Sequence, residues 1–147
     1  MVSLYGSALD ASFFPLAAAS KNGSIDELKS LVEEGVDLRE RDTDGATLLH
    51  YAAWGGSIKA IKYLVKQGRS LEAEDKTGAT LLHYAGYGGS SEVLKYLVEQ
   101  GGNLNVKDAW DATPLHYAAG GGKIREIEYF LKQKENTIGK GGAQLQQ

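Results

Sequence analysis

Three histidines, His50, His83 and His116, are the residues of this sequence best suited to chemistry. Imidazole can bind a metal ion or transfer a proton near neutral pH. The three lie 33 residues apart, each in the same local sequence: TLLHYA at 47–52 and at 80–85, and TPLHYA at 113–118. They are therefore candidates either for a metal or catalytic site or for a structural role that recurs with the segment.

Other catalytic signatures are incomplete. Ser57, Ser90 and Ser91 belong to no Gly-x-Ser-x-Gly elbow, and the chain has no cysteine for thiolate chemistry, disulfides or zinc. Glycine-rich stretches at 86–89 and 120–122 resemble phosphate loops, but neither is followed by Lys-Ser or Lys-Thr at Walker spacing. We predict no enzyme activity, no cofactor and no metal.

Aromatic residues form a second regular set. Tyr51, Tyr84 and Tyr117 each follow a histidine directly, and three residues further on come Trp54, Tyr87 and Gly120. A spacing of three places each pair on one face of a helix. Tyr and Trp bury much area at little cost in rotamer entropy, so they make good contact anchors.

Both sets belong to a 33-residue repeat. Glycines recur with this period in two series, at Gly23, Gly56, Gly89 and Gly122 and at Gly35, Gly68 and Gly101. The period and the Thr-Pro-Leu-His-x-Ala signature resemble those of the ankyrin repeat family. The resemblance covers about residues 10–135. It implies an all-α solenoid of about four stacked helix–turn–helix repeats with β-turn or hairpin loops.

Local residue types fit this architecture. Thr47, Thr80 and Thr113 can cap the first helix of each repeat through the hydroxyl, and glycine pairs such as Gly55-Gly56 can end it. The second helices carry apolar residues at helical spacing: Ile58, Ile61, Leu64 and Val65 are one set. Asp-x-x-Gly turns precede the threonines in repeats 2 and 3, whereas repeat 4 has Asp111 where Gly45 and Gly78 stand, which predicts mild backbone strain.

The ends of the stack need polar outer faces. At one second-helix position the inner repeats have Ala60 and Val93, whereas the outer repeats have Glu27 and Glu126. We expect these two glutamates to cap the stack.

The resemblance also bears on the histidines. Stacked repeats lie at helix-packing distances of about 10 Å, so equivalent imidazoles are too far apart to share a zinc ion. In the family this histidine braces its own turn by hydrogen bonds. We therefore predict structural roles for His50, His83 and His116, together with Thr47, Thr80 and Thr113.

The first helix lines the concave surface of ankyrin repeats, and its exposed positions and the adjoining turns vary with the partner. Carried onto this sequence, the resemblance predicts partner-binding residues at Tyr51, Trp54, Lys76, Thr77, Tyr84, Tyr87, Trp110 and Tyr117. Tyr63, Tyr96 and Tyr129 are assigned to packing on the convex side, and Lys59, Lys62 and Lys66 to a solvent-exposed face.

Charge and hydropathy narrow the partner class. The formal net charge of −3 offers no electrostatic attraction to nucleic acid or to an anionic membrane. The longest apolar stretch, Phe13 to Ala19, is too short to span a bilayer, and no basic residue precedes it as in a secretory signal. We expect a monomer in the cytoplasm or nucleus that binds a protein partner.

We predict one ankyrin-repeat domain at 1–135, with repeats at about 10–41, 42–74, 75–107 and 108–135, and a flexible tail at 136–147. Its predicted function is non-catalytic protein–protein interaction. Two alternatives stay open. Tyr51, Trp54, Tyr84 and Tyr87 could form an aromatic cage for methyl-lysine or another cationic peptide, a function known in some family members. The chain could also be a fragment of a larger protein whose catalytic part is absent.

Overall fold

Four helix pairs follow one another along the chain. The computed structural model describes residues 7–88 and 90–133, with side chains from residue 13 onward. The helices are α1 (Ser7–Asn22), α2 (Ile25–Glu33), α3 (Leu48–Gly55), α4 (Ile58–Lys66), α5 (Leu81–Gly88), α6 (Ser91–Glu99), α7 (Pro114–Gly120) and α8, whose described part is 124–133. The predicted tail, 136–147, lies outside the described residues. The described part contains no strand, which confirms the all-α repeat fold.

The first helices of the repeats, α1, α3, α5 and α7, pack on one another in series, and α1, α3 and α5 each also pack on the second helix of the same repeat. Leu48, Leu49, Ala52 and Ala53 of α3 are almost completely buried between these neighbours. The helix ends at Gly55 because Gly56 adopts the left-handed conformation, with a φ of 77°.

Serine caps and glycine stops define the second helices α4 and α6. The Ser57 hydroxyl accepts from the Ala60 amide at 3.0 Å at the start of α4, and Ser90 caps α6 in the same way through Val93. Both helices end before a left-handed glycine, Gly68 with a φ of 92° and Gly101 with a φ of 100°. The serines that could have suggested a nucleophile therefore have a structural explanation.

Hairpin turns project between consecutive repeats. In the turn that precedes α3, the Asp42 amide donates to the Ala46 carbonyl at 3.0 Å, and Asp42 Oδ1 accepts from the amides of Asp44 and Ala46. Neighbouring turns are joined by main-chain bonds, from Lys76 to Asp44 at 2.9 Å and from Ala109 to Thr77 at 2.8 Å. These bonds fix the position of each turn relative to the next.

Repeat 1 departs from the pattern at its start. Pro15 occupies the position of Leu48, Leu81 and Pro114, the first residue of the later first helices. In repeat 1, however, the helix runs back through Pro15 to Ser7. The α1 helix therefore has 16 residues, whereas α3 and α5 have 8 each.

One capping expectation is wrong. Glu27 is exposed, but Glu126 is only 4% exposed. Ala60 and Val93 at the same position are fully buried, so this side of the second helix lies in the interior of the stack. Glu126 of α8 lies on this buried side, and the opposite side of α8 carries the exposed Ile124 and Leu131. Among the described residues, no helix combines the length and the hydropathy needed to cross a bilayer.

Candidate partner-binding surface

Each tyrosine that follows a histidine is fixed by an aspartate of its own repeat. The Tyr84 hydroxyl donates to Asp75 Oδ2 at 2.7 Å. The equivalent bonds join Tyr51 to Asp42 and Tyr117 to Asp108, both at 2.6 Å. A buried phenol hydroxyl normally needs a partner, and the turn aspartate supplies it. The tyrosine rings are thereby held in a defined orientation on the first helices.

Burial and these bonds shift the pKa values of the three tyrosines and of two aspartates, Asp75 and Asp108. Burial and the aspartate hydrogen bond raise the pKa of Tyr51, Tyr84 and Tyr117 well above the ordinary value. Burial alone would raise the pKa of Asp75, but hydrogen bonds from Tyr84, Thr77 and the backbone outweigh it, so this pKa is lowered. The same balance lowers the pKa of Asp108. Tyr51, Tyr84 and Tyr117 are therefore neutral, and Asp75 and Asp108 charged, at physiological pH.

A row of rings runs across the first helices. The ring centroids of Tyr51 and Trp54 are 5.9 Å apart, and those of Trp54 and Tyr87 are 6.2 Å apart with the planes tilted by 55°. Lys21, at the end of α1, places its Nζ 3.8 Å from the centroid of the Trp54 ring, within cation–π range. Lys21, Trp54, Tyr87 and Gly120 occupy the same position in successive repeats.

Close backbone contact between first helices determines the spacing of the rings in this row. A Cβ added to Gly88 would overlap the carbonyl group of Trp54, and one added to Gly55 would overlap that of Lys21. Only glycine lets the helices approach so closely, and this approach brings the rings of consecutive repeats into contact. At Gly120 nothing lies within 4 Å of an added Cβ, so the row ends in open space beside Tyr87.

Four aromatic side chains line a pocket of about 250 Å³: Trp54, Tyr84, Tyr87 and Tyr117. It extends across repeats 2, 3 and 4. The sequence had suggested a cage of Tyr51, Trp54, Tyr84 and Tyr87. In the structure Tyr117 takes the place of Tyr51, which contacts Trp54 on the other side of the row.

The three predicted turn residues lie apart from this pocket. Lys76 is exposed, and Trp110, at 72% exposure, projects into solvent. The Thr77 hydroxyl donates to Asp75 Oδ1 at 2.7 Å, and its carbonyl accepts from Ala109. Thr77 therefore takes part in holding the turn, whereas Lys76 and Trp110 present free side chains at the turn tips.

Two histidines connect neighbouring repeats. His50 Nδ1 accepts from the Thr47 amide at 3.0 Å, and His50 Nε2 lies 3.1 Å from the Ala79 carbonyl of the next repeat. His83 makes the equivalent contacts, with its Nε2 2.8 Å from the Ala112 carbonyl. Because Nδ1 accepts, Nε2 carries the proton and donates.

Burial favours the neutral form of these imidazoles. Loss of solvation lowers the pKa of His50 and of His83 below the ordinary value. His116 also accepts from its threonine amide, at 3.0 Å, but it is exposed, and its Nε2 has no hydrogen-bond partner within 13–88 and 90–133.

The histidine rings also support the tyrosines. His50 makes an edge contact with Tyr84 at 4.5 Å between ring centroids, and His83 makes one with Tyr117 at 4.7 Å.

No group of three or more metal-ligating side chains occurs among the described residues. The contacts of Lys21 and the aspartate–tyrosine pairs were missed at the sequence level, although the nine-residue Asp–Tyr spacing recurs in three repeats.

A family model for three copies of ankyrin repeats matches residues 16–108. The chain therefore belongs to the ankyrin repeat family. Ankyrin repeats generally act as protein–protein interaction modules, and the family is typically non-catalytic. The pair α7 and α8 lies beyond the matched residues. No curated protein matches the chain.

Proposed function

We propose that this protein binds a partner polypeptide through the aromatic surface of its first helices, formed by Tyr51, Trp54, Tyr84, Tyr87 and Tyr117. The observation that carries the proposal is the pocket lined by four rings. Tyr87 is 47% exposed although it lies within this aromatic row. The hydrogen bonds from Tyr51, Tyr84 and Tyr117 to aspartates preorganise the cluster for contact, because little side-chain entropy is lost on binding.

The turn tips extend the same surface. Trp110 and Lys76 stand on consecutive hairpins that main-chain bonds hold together. A partner that places one apolar side chain in the pocket can reach these residues along the concave side. The outer lysines Lys59, Lys62 and Lys66 are exposed on α4 and form no part of the proposed interface.

The test compares aromatic and charged variants in affinity capture followed by titration. Tyr87→Ala removes an exposed ring, and truncation of a central anchor typically costs about 2 kcal/mol or more, so binding should weaken at least about tenfold. The double variant Lys59→Ala with Lys62→Ala is the control, and it should alter affinity little beyond its salt dependence.

Circular dichroism must give the same helical content for all variants. A partner retained by Tyr87→Ala and Trp54→Ala but lost from the double lysine variant would contradict the proposal, since binding would then depend on the convex charges.

A second candidate function is recognition of a cationic side chain, such as methylated lysine, in the aromatic pocket. Two observations favour it. Lys21 already places an ammonium group over the Trp54 ring. The hydroxyls of two pocket residues, Tyr84 and Tyr117, donate to carboxylates, which makes their rings richer in electron density and more attractive to a cation.

A fluorescence titration separates the two functions. A peptide with trimethyl-lysine should bind more tightly than the same peptide with its neutral tert-butyl isostere if the pocket reads a cation. Equal affinity for the two peptides would contradict cation reading and leave apolar contact as the function of the pocket.

A further inference from the structure

Two grooves of the same construction lie one repeat apart, away from the aromatic surface. The narrow groove, between repeats 1 and 2, has a volume of about 100 Å³, and the wide groove, between repeats 2 and 3, has about 500 Å³. Every residue that lines the narrow groove has its counterpart, 33 positions later, in the lining of the wide groove. The comparison therefore isolates what the sequence has changed between two equivalent sites.

The first change is in size. Arg69 lines the narrow groove, and Gly102 stands at its position in the wide groove. Arg69 is partly buried, and its Nε is inaccessible to solvent and makes no hydrogen bond within the described part of the chain. The narrow groove thus has a long arginine side chain in its lining at the position where the wide groove has glycine.

The second change is in charge. Arg39 and Arg41 line the narrow groove, and Glu72 and Glu74 replace them in the wide groove. The two arginines are already engaged: Arg39 pairs with Asp37 at 3.0 Å, and Arg41 Nη1 donates to the Gly45 and Glu74 carbonyls at 3.0 and 2.8 Å.

Both glutamate side chains are exposed. Neither forms a salt bridge with any residue whose side chain the structure describes. The wide groove also has an apolar floor, which includes the buried Leu81, Leu82 and Leu97. Arg69 contributes one positive charge at the wall that the two grooves share. The lining of the wide groove thus has two carboxylates against one cation, and the neighbouring Arg41 is already bound to the carbonyls of Gly45 and Glu74.

We propose that the wide groove binds an arginine side chain presented by a partner polypeptide. The lining of the narrow groove already combines an arginine, Arg69, with the equivalent leucines, Leu48 and Leu49. An arginine stem can pack on an apolar floor while its guanidinium stays at the polar rim. There Glu72 and Glu74 can accept charge-assisted hydrogen bonds from the planar guanidinium. The proposal is independent of the aromatic surface, with which the groove shares no residue.

The test is an NMR titration of the whole protein with N-acetyl-arginine amide, alongside N-acetyl-citrulline amide, its neutral analogue of the same shape. We expect saturable shifts of the Gly101, Gly102 and Asn103 amides with a dissociation constant of about 1 mM, and none from the citrulline compound. The double variant Glu72→Gln with Glu74→Gln should weaken binding at least about tenfold. Glu33→Gln with Glu34→Gln makes the same charge change on exposed residues of repeat 1 and should leave binding unchanged.

Three results would overturn the proposal. Equal binding of the citrulline compound would remove the role of the guanidinium charge. Shifts confined to Tyr87 and the Trp54 indole would assign the arginine to the aromatic pocket. The absence of saturation up to about 50 mM would show that the groove binds no arginine.

Discussion

The Tyr84 hydroxyl donates a 2.7 Å hydrogen bond to Oδ2 of Asp75, nine residues earlier at the base of the hairpin turn. Asp75 Oδ1 accepts from the amides of Thr77 and Ala79 at 2.8 and 3.0 Å. One carboxylate therefore closes the turn and orients a wall of the aromatic pocket. Turn stability and the shape of the proposed binding site depend on the same charged group.

This double role predicts a pH dependence of folding. The pKa of Asp75 is lowered in the folded state, so its contribution to stability is present above the unfolded pKa and is lost as the pH falls through the folded one. Asp75→Asn should reduce the free energy of unfolding at pH 7 by about 1–2 kcal/mol and flatten its decline between about pH 5 and 3. Urea unfolding at a series of pH values measures both effects.

Asp44→Asn is the matched control, because Asp44 is an exposed aspartate in the neighbouring turn and its side chain accepts no hydrogen bond among the described residues. If the two variants had the same pH profile, the carboxylate of Asp75 would have no special part in the turn.

The histidines offer a second pH test. The pKa of His83 is lowered by burial, so the stability that it contributes is present above about pH 6.5 and decreases as the pH falls through the folded pKa. His83→Ala should lose about 1–3 kcal/mol at pH 7, because the Thr80 amide and the Ala112 carbonyl lose their partner.

His116→Ala removes only the bond within its own repeat, so its loss should be smaller. The difference between the two variants in thermal or urea unfolding measures the bond between repeats. Stoichiometric zinc binding that disappeared in His83→Ala would instead refute the structural role.

The periodic parts of the fold could be predicted because one residue decides each feature. Gly45, Gly56 and Gly68 are left-handed and end a turn or a helix at the positions that the 33-residue spacing predicts. Tyr63 packs beside the core, also as predicted. Each of these features depends on contacts within one repeat or between identical neighbours, and the sequence repeats them.

The pocket could be predicted only in part, because it depends on how much each repeat is displaced from the one before. Ring spacing along one helix places Tyr84 and Tyr87 together, but whether Tyr51 or Tyr117 completes the pocket depends on that displacement. The burial of Glu126 has the same origin, since the direction in which a helix face points along the stack is a property of the assembled repeats.

Backbone strain at Asp111 gives a prediction about the last turn. Asp111 has a φ of 61°, whereas Gly45 and Gly78 hold the corresponding positions at 80° and 79°. A residue with a Cβ is less stable than glycine in this conformation. Asp111→Gly should raise the free energy of unfolding by up to about 1 kcal/mol, measured by urea denaturation. A loss of about 1 kcal/mol or more would reveal a stabilising contact of the aspartate side chain.

Ser20 is a buried polar residue without a partner. It is completely buried in α1, and its Oγ makes no hydrogen bond to any residue that the structure describes. Ala53 and Ala119 occupy the same position in repeats 2 and 4. Ser20→Ala removes the unpaired hydroxyl without adding volume, so thermal unfolding should show a gain of about 1 kcal/mol. Ser57→Ala, which removes a helix cap, should show a loss of similar size. A loss on Ser20→Ala would indicate a hydrogen bond to that hydroxyl.

The closeness of the first helices gives the last prediction, which connects the fold to the aromatic surface. Neither Gly88 nor Gly120 has a positive φ, so conformational strain is absent at both, and only their surroundings differ. In Gly88→Ala the new methyl group would overlap the backbone carbonyl of Trp54, which cannot move unless α3 and α5 separate. We expect a loss of at least about 2 kcal/mol in urea unfolding. Separation of the helices should also move Trp54 away from Tyr87, so tryptophan fluorescence of the folded state should change.

Gly120→Ala is the control, because the new methyl group has open space around it. The free energy of unfolding of this variant should be unchanged or higher by up to about 1 kcal/mol, from helix propensity. If Gly88→Ala were as stable as Gly120→Ala, with unchanged fluorescence, close packing at glycine could not be what sets the spacing of the aromatic row.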